Sequence, residues 1–200
     1  MAITRFRKIG GNLYQIVPLG SATDCANAEL CFRLASAAEE NDESEYALDL
    51  YHRAILLDAS IFEAWTNIGT IWFNRGDYVR AEECYRNALN INPEHAMSCC
   101  NLARTLEEMA GRTKEAEVFY LRAIEIDSLF RDAHYNLAFL YDRTRRYKEA
   151  LEHWRSYLRC SGDDLESVVQ IARDGIRRAL AKSPLQVVAG RDILIEVNSR

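Results

Sequence analysis

Between Cys31 and Tyr157 the same residue types return about every 34 positions, and nothing else in the chain limits its fold as tightly. One column reads Cys31, Trp65, Cys99 and His134. Three residues later stand Leu34, Ile68, Leu102 and Leu137, followed at once by Ala35, Gly69, Ala103 and Ala138. A second set of columns reads Ala47, Ala81, Ala116 and Ala150, then Tyr51, Tyr85, Tyr120 and Trp154. The Ala47 series steps by 34, 35 and 34 residues. Its extra residue falls around Gly111-Arg112-Thr113, where a turn absorbs an insertion at little cost.

The periodicity inside each unit is helical. Leu34, Ala35 and Ala38 share one stripe, as do Ile68, Gly69 and Trp72. Small residues recur where two helix backbones must approach, and large aromatics where the neighbouring helix leaves a groove. Gly76-Asp77 and Gly111 mark turns between helices. A single two-helix unit leaves an apolar face open, and stacking closes it, so about three or more units are needed. The expected fold is all-α: four helix–turn–helix repeats over 24–164, at about 28–61, 62–95, 96–130 and 131–164.

The second repeat carries a fuller signature. Trp65, Ile68-Gly69 and Trp72 occupy the first helix, Ala81, Tyr85 and Ala88 the second, and Pro93 the exit. This resembles the tetratricopeptide-repeat (TPR) family across roughly 135 of the 200 residues. The resemblance implies a right-handed α-solenoid that acts as a protein-interaction scaffold. Two departures stand out. Trp is missing from the first column in three repeats. Tyr157 stands where the others have Ala54, Ala88 and Ala123, a sign that the stack ends there.

Both ends lie outside the repeats. Asp163-Asp164 can cap a helix that runs to about Lys182 before Ser183-Pro184 stops it. Leu165, Val168, Val169, Ala172, Ile176 and Leu180 form its apolar stripe, so 165–182 reads as a capping helix. In the extension 1–23, Ile3–Ile9 and Leu13–Val17 flank Gly10-Gly11-Asn12. In 183–200, Leu185–Ala189 and Ile193–Val197 flank Gly190-Arg191-Asp192. Each extension reads as a β-hairpin.

Charge and composition remove several function classes. The net charge of −5 argues against a general nucleic-acid binder. From Asp24 to Phe130 there are 20 acidic and 9 basic residues, while both ends are net basic. An acidic middle with basic ends leaves a homo-oligomer open, and terminal β-segments could build one or seat the chain in a larger complex. No 18-residue apolar run signals a membrane span. Cysteines 25, 31, 84, 99, 100 and 160 form no CxxC pair and read as reduced, packed thiols, which makes the cytoplasm the default location. No phosphate-binding loop, dinucleotide fingerprint, nucleophile elbow or HExxH motif occurs, so no enzyme and no cofactor is expected. Cys31, Cys99 and His134 sit in successive repeats, too far apart to share one metal ion.

The informative polar set lies two positions after the first column: Asn67, Asn101 and Asn136, with Arg33 in the first repeat. In TPR proteins the first helices line the concave face. An amide there can hold a peptide's C=O and N–H together. The resemblance therefore implies an asparagine ladder gripping an extended peptide, with Thr70, Phe73, Arg104, Tyr135, Phe139 and Arg143 around it. One helix turn earlier stand Glu29, Glu63, Met97 and Asp132, where a carboxylate-clamping TPR would carry Lys. A neutral or basic peptide partner is expected rather than an acidic one.

Overall fold

The computed structural model describes residues 4–10, 13–18, 27–161 and 166–182. Strands β1 (Thr4–Gly10) and β2 (Leu13–Pro18) pair antiparallel, with Phe6 opposite Ile16 and Lys8 opposite Tyr14. Four helix pairs follow: α1 (Ala28–Glu40) with α2 (Ser44–Leu57), α3 (Phe62–Asn74) with α4 (Tyr78–Ile91), α5 (Ala96–Glu108) with α6 (Thr113–Ile126), and α7 (Arg131–Arg143) with α8 (Tyr147–Ser161). The helix α9 (Glu166–Lys182) packs on α8 and also touches α7, much as α5 touches α3. The chain is an α-solenoid of stacked helix pairs.

Local signals set the helix ends. The Asn27 side chain accepts from the Leu30 amide at 2.8 Å and caps α1, and Asp77 accepts from the Arg80 amide at 3.0 Å and caps α4. The turn inside every pair carries one residue at positive φ: Asp42 at 60°, Gly76 at 75°, Gly111 at 80° and Arg145 at 61°. These four form a column of their own, but only two are glycine, so residue type alone does not disclose it.

The core is built from the repeated columns. Ala35, Ala47, Tyr51, Ile68, Ala81, Tyr85, Leu102, Ala103, Ala116, Tyr120, Leu137, Ala138, Ala150 and Trp154 are all buried. Gly69 lets the backbone of α3 press on Tyr85; a Cβ there would stand 2.8 Å from the ring. Leu34 breaks the pattern. Its counterparts Ile68, Leu102 and Leu137 are fully covered, yet Leu34 is 42% exposed. Those three are covered by the preceding repeat, and among the described residues no helix pair precedes α1.

At the other end, α9 buries Ala172, Gly175, Ile176 and Ala179. Tyr157, too large for the alanine column, joins Trp154 and Tyr135 in an aromatic cluster beneath it, its ring 5.2 Å from that of Tyr135. The proposed cap at Asp163-Asp164 and the C-terminal hairpin lie outside the described residues. Cys84, Cys99, Cys100 and Cys160 are free thiols. Cys31 is disulfide-bonded, which corrects the expectation of six reduced cysteines.

Charged side chains stitch neighbouring repeats on the second helices. Arg112 reaches back from the third repeat to Glu82 and also binds Glu115 at 2.7 Å, while Arg86 bonds Glu82 at 2.8 Å and Glu115 at 2.5 Å. The four close a ring. One repeat later Arg146 takes the same position, binding Glu117 at 2.7 Å and Glu149 at 2.9 Å. At the first seam Leu48 and Asp77 occupy these columns, and Asp77 turns to Arg80 instead.

Candidate peptide-binding groove

The first helices α3, α5 and α7 bring six of the ten expected site residues to one hollow of about 330 Å³. Phe73, Arg104, Tyr135, Asn136, Phe139 and Arg143 line it together with Glu107, Glu108 and Tyr120. Arg33, Thr70, Asn67 and Asn101 stand on the same series of helices but outside this hollow. The hollow is therefore centred on the second to fourth repeats.

Its walls are organised by stacking and charge pairing. The Arg104 guanidinium lies 4.6 Å from the Phe73 ring centre, and the residue is exposed. Tyr135 and Phe139 meet edge to face at 4.8 Å, and Phe139 meets Trp154 at the same distance. Arg143 donates to Glu107 at 2.5 Å, across from α7 to α5. The lining thus carries two guanidinium groups and two carboxylates, with one pair already mated.

The buried tyrosine column reaches the same face. Tyr51 donates to Glu39 at 2.9 Å, the Tyr85 hydroxyl meets Thr70 at 3.1 Å, and Tyr120 donates to Glu107 at 2.5 Å. Burial pushes the Tyr51 and Tyr85 hydroxyls up to about 12. Burial, and then the adjacent Glu107 charge, pushes Tyr120 higher still. All three phenols therefore stay neutral donors. The Glu107–Tyr120 bond was not legible from residue types. Its signal was positional, because Glu39 and Tyr51 hold equivalent columns in the first repeat. In the fourth repeat Trp154 replaces the tyrosine, and its indole N–H is buried without a partner among the described residues.

The asparagine column does two things. Asn67 donates to the Tyr51 hydroxyl at 2.9 Å, and Asn136 donates to the Cys100 sulfur at 3.6 Å. Each of these bonds ties a repeat to the one before it. Each NH₂ keeps a second N–H, and each amide keeps its oxygen for another partner. Asn101 lies half-buried between them on α5. Thr70 is engaged with Tyr85 and the Thr66 carbonyl. On the neighbouring turn Glu29, Glu63, Met97 and Asp132 are all exposed.

Comparison with known proteins follows the same architecture. Residues 31–129 match the family model described as the Cilia and flagella-associated protein 70 middle TPR-like domain. A probable UDP-N-acetylglucosamine–peptide N-acetylglucosaminyltransferase, SPINDLY of Hordeum vulgare, is 28% identical over 134 residues; the match covers 64% of this chain and 14% of that protein. The chain thus spans a small part of the length of this relative. Among solved structures, Pseudomonas aeruginosa PilF superposes with a TM-score of 0.65 at 17% identity, covering 80% of this chain and 76% of that one. The first TPR of Spaghetti (RPAP3), bound to the HSP90 peptide SRMEEVD, gives a TM-score of 0.57 at 16% identity, covering 61% and 96%. A 34-residue period whose small and aromatic columns are buried in stacked helix pairs, taken with the family match, makes the chain a tetratricopeptide-repeat protein.

Proposed function

We propose that this chain is a non-enzymatic interaction module that holds an extended peptide segment in the groove along α3, α5 and α7. The observation that carries the reading is the hollow itself. Aromatic walls, Arg104, which has no ion pair among the described residues, and the amide of Asn136 converge there from three helices. TPR scaffolds bind protein and peptide partners, and a structural neighbour holds a peptide in its TPR domain.

The preferred segment is neutral or basic. Glu29, Glu63 and Asp132, exposed one helix turn before the asparagine column, disfavour a carboxylate tail, while Arg143 is already paired with Glu107. The asparagine amides contribute through their free oxygens and second N–H groups, which suit backbone recognition without reading side chains. Residues 28–108 and 113–182 contain no described helix long and apolar enough to cross a membrane.

The test is capture from the native host with wild type and with Asn67→Ala, Asn101→Ala and Asn136→Ala combined. Partner capture should fall while circular dichroism stays helical. A titration with basic-tailed and acidic-tailed peptides of equal length should favour the basic one. Undiminished capture, or tighter acidic binding, overturns the reading.

A further inference from the structure

Three columns that are sealed in every later repeat lie open on α1. Leu30 is 41% exposed where Ala64, Ser98 and Ala133 are fully buried. Leu34 is 42% exposed where Ile68, Leu102 and Leu137 are fully buried. Ala37 is exposed where Ile71, Thr105 and Leu140 are buried. Leu30, Leu34 and Ala37 follow i, i+4, i+7 spacing, so they form one apolar stripe along the helix. This is the stacking face of the solenoid, and among the described residues no preceding repeat lies upon it.

The same chain carries an element with the opposite need. A lone two-stranded hairpin is marginal in water and gains stability by packing a face against a helix. The β1–β2 register, with strand alternation, puts Thr4, Phe6, Lys8, Tyr14, Ile16 and Pro18 on one face of the hairpin. We propose that this face of the hairpin docks on the Leu30–Leu34–Ala37 stripe and closes the N-terminal end of the solenoid.

Dimensions favour this occupant. The seven residues of β1 span about 23 Å, and the thirteen of α1 about 20 Å. Residues 19–26 separate them and reach at most about 28 Å, so the hairpin cannot leave the vicinity of α1. Such a tether gives the contact an effective concentration in the millimolar range.

A second copy is the weaker candidate. One helix stripe about 20 Å long and 10 Å wide offers on the order of 200 Å² per partner, against roughly 800 Å² in a stable interface. An untethered contact of that size does not hold. Charge agrees with the tethered choice. The hairpin carries Arg5, Arg7 and Lys8 and no acid, while 27–57 carries seven acidic and two basic residues. This inference is independent of the groove reading.

The test is amide hydrogen exchange on the full chain. Phe6→Glu with Ile16→Glu, on the proposed docking face, should speed exchange in α1 about tenfold and leave α5 to α7 unchanged. Leu34→Glu, at a site exposed enough to accept it, should do the same from the helix side. Gln15→Glu, on the opposite face of the hairpin, should leave α1 as in wild type. If the hairpin variant leaves α1 exchange untouched, the proposal is overturned. It is equally overturned if α1 protection rises with protein concentration alongside a dimer in light scattering, since a second copy is then the cover.

Discussion

Gly175 carries the backbone of α9 so close to the Trp154 indole that a Cβ at that position would stand 2.3 Å from the ring. Trp154 is fully buried, packed against Phe139 and Tyr135, and has no room to yield. Gly175→Ala should therefore destabilise the protein by about 1–3 kcal/mol despite the higher helix propensity of alanine. Thermal unfolding followed by tryptophan fluorescence measures it. An unchanged or raised midpoint would show that α9 can shift off the indole without loss.

Arg145 holds φ at 61° in a column where two other repeats place glycine. A side chain there costs about 1 kcal/mol relative to glycine. The residue is exposed, so its substitution removes little packing. Arg145→Gly should raise stability by up to about 1 kcal/mol, read as a higher urea midpoint at constant m-value.

The ring of Glu82, Arg86, Arg112 and Glu115 joins the second and third repeats. Burial raises the Glu82 carboxyl, but bonds from Arg112 and Arg86 outweigh it and hold the group below its ordinary range. The bond from Arg112 does the same for Glu115. Because the four act as a network and Glu82 is largely covered, Arg112→Ala should cost about 1 kcal/mol at low salt. The cost should shrink in 1 M salt, where the screening length falls to about 3 Å and the partly exposed charges attract one another less. Urea unfolding of wild type and variant at the two salt concentrations gives the comparison.

His134 and His153 set a pH dependence. Their Nδ1 atoms lie 3.0 Å apart, and the His134 Nε2 meets the Ser128 carbonyl at 3.2 Å. That second bond calls for a proton on Nε2, so His153 donates across the pair. Burial lowers both rings, and the neighbouring His134 helps bring His153 down to about 4. Both are neutral when folded and near neutral pH. In the unfolded chain they take up protons below about 6.5. Stability is then fully present above that value and falls as pH drops from about 6.5 toward 4. His153→Gln should flatten that slope in urea unfolding measured across the window.

Much of the architecture was readable in the residue types. The columns of Ala35, Gly69, Ala103 and Ala138 against Tyr51, Tyr85, Tyr120 and Trp154 describe how helices meet, because side-chain volume at a crossing is a local property. Helical spacing likewise placed Phe73, Arg104, Asn136 and Arg143 on first helices. The pairings within that set were not. Arg143 with Glu107, and Asn67 with Tyr51, join residues 36 and 16 positions apart. Which of several acceptors a long side chain reaches depends on the angle between stacked repeats.

Periodicity by itself determined that the chain stacks two-helix units and which faces those units bury. Tertiary structure alone decided that Leu34 lies open while its three counterparts are sealed, and that Trp154 rests on Gly175 instead of bonding a carboxylate as Tyr51 and Tyr120 do. The physical reason is the end of the array. A repeat's pattern encodes the neighbour it needs, and only the assembled stack shows where that neighbour is missing or replaced.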